Sequence, residues 1–197
     1  MKVHEWYYGR MSKEHIFIIG PGGVGKSTSG ALLARILEVP LIDLDREFMR
    51  CVGHIGEYIQ THGYEKYCYA NSELFSTLLR EASDPSLFIM SSGFLVHDGL
   101  EELVEKHKRL LKENGISILL LPSESLEASA DLVVKRQMSR GFGLNEEVER
   151  NKFMKRYERY QKEGDIKIYS IATPQEIAFE MTEYLQRQKQ VLQSQHE

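Results

Sequence analysis

Short apolar runs alternate along the chain with longer stretches in which apolar residues recur every three or four positions. The runs at 15–19, 40–42, 87–91, 116–121 and 166–171 predict strands. Residues 116–121 read Ile-Ser-Ile-Leu-Leu-Leu, nearly continuous, as expected of a parallel strand covered on both faces. Helical spacing predicts helices over 27–37, 55–61, 65–82, 98–114, 126–138, 146–163 and 174–188. Gly115 is placed to stop the fourth of these, and Pro174 suits the first turn of the last. Alternating strands and helices imply an α/β fold: three layers, α/β/α, around a five-stranded parallel sheet. Crossovers are then right-handed, and ligands bind at the carboxyl ends of the strands.

No internal repeat or linker divides the chain. The expected organisation is a short extension over 1–12, one domain over 13–188, and a polar, Gln-rich tail over 189–197. Met11 precedes the first strand, so residues 1–10 are either an extension or the result of an upstream start. The stretch from Ser139 to Asn145 holds two glycines and an arginine between helical patterns, and is the candidate mobile loop.

Composition narrows the function classes. The 197 residues suffice for one sizeable core, and 42% hydrophobic with 27% charged residues is ordinary for a globular protein. A net charge of -4 argues against nucleic acid as a partner. No apolar run is long enough to span a bilayer, and the first ten residues lack a signal core, which points to the cytoplasm. Cys51 and Cys68 lack metal or redox spacing and are expected to be reduced. Oligomeric state is not readable; a monomer is the default.

The chemistry starts at Gly20-Pro21-Gly22-Gly23-Val24-Gly25-Lys26-Ser27-Thr28, between the first strand and a helix. This is the order a phosphate-binding P-loop requires. Gly22, Gly23, Val24 and Gly25 would present backbone N–H groups to phosphate oxygens, and the helix adds its positive dipole end. Lys26 would reach the β- and γ-phosphates of ATP, Ser27 would ligate Mg²⁺, and Thr28 would contact the α-phosphate. Asp43-Leu44-Asp45 follows the second strand. No other core strand of this half ends in a carboxylate, so Asp43 is the candidate for the Mg²⁺ shell, through water. Asp45 would orient an acceptor hydroxyl and receive its proton; it could equally cap a helix ahead of Arg46-Glu47-Phe48.

These residues together resemble the shikimate kinase family, P-loop kinases of the nucleoside-monophosphate-kinase fold. The similarity runs from about Glu14 to about Leu185. It is densest from Ile18 to Tyr67, through the P-loop, Asp43-Leu44-Asp45-Arg46-Glu47, Gly53-His54-Ile55-Gly56-Glu57 and Gly63-Tyr64-Glu65-Lys66-Tyr67. The resemblance implies catalytic roles for Lys26, Asp45 and Arg140, with Arg140 on a lid at about 139–146. It implies that Arg136 lies near adenine and that Arg156 meets the acceptor's carboxylate. It also implies an acceptor pocket at Cys68 and Ser91-Ser92-Gly93. There the chain departs from its relatives. Cys68, in Glu65-Lys66-Tyr67-Cys68, stands where the family has a carboxylate-clamping arginine; Ser91-Ser92-Gly93 replaces a triple glycine; and Arg140-Gly141 replaces Arg-Pro. Losing an arginine clamp weakens carboxylate binding by one or two orders of magnitude, at roughly 1.5–3 kcal/mol per charged hydrogen bond.

The expected activity is ATP-dependent phosphorylation of a small-molecule alcohol, with shikimate the leading acceptor and another ring or polyhydroxylated alcohol the alternative. The rival from another class is a nucleotide-binding regulatory protein that has lost catalysis. The altered acceptor residues favour it, and the intact Lys26, Ser27, Asp43 and Asp45 oppose it.

Overall fold

The computed structural model describes residues 14–139 and 145–194. Five strands, β1 (His15–Ile19), β2 (Leu41–Asp43), β3 (Leu87–Ile89), β4 (Gly115–Leu121) and β5 (Ile166–Tyr169), form one parallel sheet in the order β2-β3-β1-β4-β5. The helices are α1 (Lys26–Leu37), α2 (Leu44–Cys51), α3 (Ile55–His62), α4 (Tyr64–Glu81), α5 (Glu101–Asn114), α6 (Leu126–Met138), α7 (Glu146–Tyr160) and α8 (Pro174–Ser194). β1 pairs with both β3 and β4, so the winding reverses at the centre of the sheet. A crevice opens at such a switch point, at the carboxyl ends of the strands.

Burial follows the apolar pattern. All of β1 and β3 is buried, as is β4 from Ser117 onward. One face carries an aromatic layer in which Phe88 lies 5.4 Å from Phe17 and 5.9 Å from Phe75, ring centre to ring centre. Phe75 also meets Phe94 at 5.2 Å, which fastens α4 to the turn beyond β3. A second cluster of Phe48, Tyr67, Cys68 and Leu103 joins α2, α4 and α5 into the wall beside that turn.

The structure moves several expected boundaries. β3 ends at Ile89 and not at 91, because Ser91-Ser92-Gly93 turns away from the sheet with Gly93 at φ 90°. β5 likewise stops at Tyr169. α5 begins at Glu101 and not at 98, since Gly99 takes φ 73°. α7 ends at Tyr160, after which tight turns from Arg159 and Tyr160 carry the backbone through Glu163. α8 runs past 188 to Ser194, in a stretch without glycine or proline. The helix α2, expected only as the alternative role of Asp45, is short, and Leu44 and Phe48 are its only fully buried residues. Its cap corrects the alternative reading of Asp45. Asp43 is the N-cap, accepting from Arg46 N at 3.4 Å, and Asp45 lies in the first turn.

Candidate functional site

Strand register brings the distant segments level. Asp43 is opposite Ile89, and Ile89 is opposite Ile18. Gly20, Asp45 and Ser91 therefore each lie two residues beyond one rung of the sheet. The turn after β1 is glycine-built for a steric reason. Gly20 and Gly23 have φ 138° and 82°, and a Cβ on Gly20 would stand 2.5 Å from the Leu120 carbonyl oxygen. A Cβ on Gly22 would collide with the Gln137 amide. Gly25, at φ 98°, precedes α1 and supplies no side-chain cap, and the first turn of α1 holds no acidic residue. The helix thus presents uncapped N–H groups where an anion is stabilised.

Lys26 is buried in this turn. Its ammonium donates to the carbonyls of Gly20, at 2.7 Å, and Pro21, at 2.9 Å. Ser27 and Thr28 are exposed at the start of α1. The Ser27 hydroxyl donates to Asp43 Oδ2 at 2.9 Å, linking the P-loop to the end of β2. This donor set fits Mg²⁺: a hydroxyl and a carboxylate are hard oxygen ligands, and the ion keeps water and phosphate for its other positions. Among the described residues no three His, Cys, Asp or Glu side chains converge, so no cage made of protein alone competes with that arrangement.

Asp45 is half-buried on the neighbouring wall. Ser91 donates its hydroxyl to Asp45 Oδ1 at 2.5 Å, and Asn71 Nδ2 donates to Ser91 at 3.0 Å. The carboxylate is thereby held through one of its two oxygens. Ser92 is exposed and Gly93 buried. Tyr67 lies near this carboxylate, and burial first, then the Asp45 charge, pushes its pKa well up.

The remaining predicted residues divide. Arg156, on α7, is 7% exposed; with Pro21, Gly22, Ser92 and Gln137 it lines a small cavity of about 30 Å³. It donates to Asp98 Oδ2 from Nε at 3.4 Å and from Nη2 at 3.3 Å. Cys68 is fully buried, with Sγ 3.4 Å from His97 Nδ1, and burial raises its pKa to about 11. It is a neutral thiol turned to the core. Arg136 Nη1 donates to the Gly23 carbonyl at 3.4 Å, on the nucleotide side. Nearby, a cleft of about 750 Å³ opens between α6 and the turn after β5, lined among others by Lys135, Tyr169 and Ile171. Arg140 lies outside the described residues.

Several contributors had no sequence signal. Asn71, His97, Asp98 and Arg159 belong to no motif; Tyr64 lies in the Gly63-Tyr64-Glu65-Lys66-Tyr67 stretch, but nothing there marks its hydroxyl. His97 is 1% exposed, and its pKa falls to about 4, first through burial and then through the nearby His107, Arg156 and Arg159. Arg159 donates to the His97 carbonyl at 2.6 Å and to Asp98 Oδ1 at 2.6 Å, which ties α7 to the acceptor-side turn.

The chain is similar to known proteins in sequence and in fold. The shikimate kinase family model matches residues 22–186. Shikimate kinase 2 of Enterobacter sp. (strain 638) is 31% identical over 106 residues, 53% of this chain and 55% of that protein. The shikimate kinase of Rhodococcus erythropolis is 33% identical over 107 residues, 53% of this chain and 62% of that protein. The matched stretches thus span little more than half of these relatives. In fold, the chain superposes on a shikimate kinase from Acinetobacter baumannii solved in complex with shikimate. The TM-score is 0.75 at 19% identity, over 93% of this chain and 98% of that one.

Proposed function

The chain belongs to the shikimate kinase family, and we propose that it transfers the γ-phosphoryl group of ATP to a hydroxyl of a small molecule, with shikimate the leading acceptor. The observation that carries this reading is Asp45, fixed by Ser91 near the Asp43 that holds Ser27. The carboxylate that would serve Mg²⁺ and the one that would bind the acceptor hydroxyl thus lie two positions apart at the end of β2. The Acinetobacter baumannii relative, solved with shikimate, supports the choice of acceptor.

Lys26 exchanges the Gly20 and Pro21 carbonyls for phosphate oxygens, so its charge is already in place when the triphosphate arrives. The N–H groups of the P-loop hold the β-phosphate. Ser27 and Asp43 would hold Mg²⁺, which when bound neutralises phosphate charge. Asp45 aligns the acceptor hydroxyl and takes its proton as the O–P bond forms, while the bond from the γ-phosphorus to the bridging oxygen breaks and ADP leaves. Arg136 supports the nucleotide, and Arg140 adds charge from the lid. Both cysteines are free and no helix among the described residues is long and apolar enough to cross a membrane, in keeping with a cytoplasmic setting.

The experiment is steady-state phosphorylation of shikimate by the parent protein and Asp45→Asn. Turnover by the parent and a fall in kcat of about 10²–10⁴ in the variant are expected, the size of a general-base contribution. Normal turnover in the variant would remove Asp45 from the mechanism. ATP binding without turnover of shikimate or of a broad panel of alcohols would favour a regulatory nucleotide-binding protein.

A further inference from the structure

Resting on the kinase reading above, we propose that Tyr64, oriented by His97, binds the acceptor beside Arg156 and decides which polar group the acceptor carries there. Tyr64 Oη and Arg156 Nη1 converge on one face of Gly93. A Cβ built on Gly93 would stand 3.1 Å from Nη1 and 3.5 Å from Oη. Gly93 lies two residues beyond Ser91, in the turn that also holds Asp45. The meeting point therefore sits on the wall of the crevice that receives the reacting hydroxyl.

The hydrogen-bond polarity of this point follows from what each group can do. Arg156 can only donate, and its Nη1 meets Tyr64 Oη at Gly93, where that oxygen can accept. His97 Nδ1 is approached by two groups that can donate, Tyr64 Oη at 3.0 Å and Cys68 Sγ at 3.4 Å. In this buried, neutral ring the lone pair is therefore assigned to Nδ1, which receives the Tyr64 proton. Arg159 holds the His97 backbone, so the acceptor of the tyrosine proton does not wander. What remains toward the crevice is a lone pair on Tyr64 Oη beside a guanidinium that Asp98 already pairs. This combination suits a ligand group that both donates and accepts, such as a hydroxyl or a carboxamide. A carboxylate only accepts; it meets Arg156 but nothing donates to Tyr64, and the Asp98 charge reduces its attraction.

The inferred acceptor class is thus a ring alcohol whose anchoring group is a hydroxyl, a carboxamide or a carboxylate, with little premium on negative charge. The test uses shikimate and its carboxamide with the full chain, its Tyr64→Phe variant and its Asp98→Asn variant. The parent is expected to favour either acceptor over the other by less than about tenfold in kcat/KM. Tyr64→Phe keeps the ring and removes the oxygen; it should raise KM for the carboxamide by about tenfold, the size of one hydrogen bond, and move KM for the carboxylate by less than about threefold. KM for ATP should hold, which a general loss of structure would not allow. Asp98 is exposed, so Asp98→Asn should fold, free Arg156 and shift preference toward the carboxylate by about tenfold. A parent preference for the carboxylate above about a hundredfold, or equal effects of Tyr64→Phe on both acceptors, would overturn the proposal. If neither compound is phosphorylated, calorimetric titration reads the same ratios. Binding with the expected ratios but without turnover removes the kinase reading alone, and binding of neither removes both.

Discussion

At the scale of the residue, Ser91 shows how much a single hydroxyl can carry. It donates to Asp45 and accepts from Asn71, and both partners are fixed by what they can do: a carboxylate accepts and an amide nitrogen donates. Ser91→Ala would leave Asp45 free to rotate and Asn71 without its partner. We expect kcat for shikimate to fall by about ten- to a hundredfold with KM for ATP unchanged, read by steady-state kinetics, since a hydrogen bond to a carboxylate is worth about 1.5–3 kcal/mol. The same serine narrows the pocket relative to a glycine, so its substitution is informative about both alignment and space. Cys68 illustrates the opposite case. Its position was legible as an exception, but its thiol is buried, and it is Tyr64 and the buried Arg156 whose polar ends meet at Gly93.

Elements place these residues through packing. β3 carries Phe88 at no exposure, touching Phe17 on β1, Phe75 on α4 and His15 at the start of β1. That layer sets the height of β3, and with it the turn that delivers Ser91 and Gly93. Phe88→Ala would empty the centre of the layer. A loss of about 3–5 kcal/mol is expected, measured as a lower urea midpoint with little change in m. The helix α2 works on the same principle in miniature. Asp43 caps it, and Leu44 and Phe48 fasten it, so Asp45 points from a fixed turn. The sequence offers this helix only as an alternative, because two buried residues one turn apart are too brief a period, and its cap is Asp43, two residues before the Asp45 expected there.

For the whole molecule, buried histidines couple stability to pH. His97 and His107 are both held near pKa 4, against 6.5 unperturbed, chiefly by burial. Burial also lowers His15. Unfolding exposes them, so between about pH 6.5 and 4 the unfolded chain binds protons that the folded chain refuses. Stability is therefore complete above about pH 6.5 and is lost as pH falls toward 4. Each of these histidines contributes a slope of up to about 1.4 kcal/mol per pH unit. Urea midpoints at pH 7.5, 5.5 and 4.5 should decline accordingly. His107 Nδ1 must carry its proton, because it faces the Phe94 carbonyl at 2.9 Å, and its ring stacks on Phe94 at 3.8 Å. In His107→Phe a stacking ring is kept while the titration is lost, and the pH slope should flatten even though the variant starts less stable. An unchanged slope would place the acid sensitivity elsewhere.

The donor half of the protein is written in contiguous residues. A P-loop works through backbone N–H groups of neighbouring positions, a lysine and a hydroxyl at set offsets, so Gly20 to Thr28 sufficed to read it. Strand order in the chain likewise follows from apolar periodicity, and Asp43 and Asp45 are visible because they terminate a strand. The proposed acceptor half would be assembled from Asp45, Tyr64, Ser91, Gly93, His97 and Arg156, which span more than a hundred positions. Their meeting depends on which strands pair and at what register, and on a glycine turn that leaves the sheet two residues early. Pairing and register are decided by the buried layer as a whole, because a side chain's neighbours across the sheet are not its neighbours in the chain. The proposed phosphate-donor site is thus legible locally, while the proposed acceptor site exists only where tertiary structure brings distant residues together.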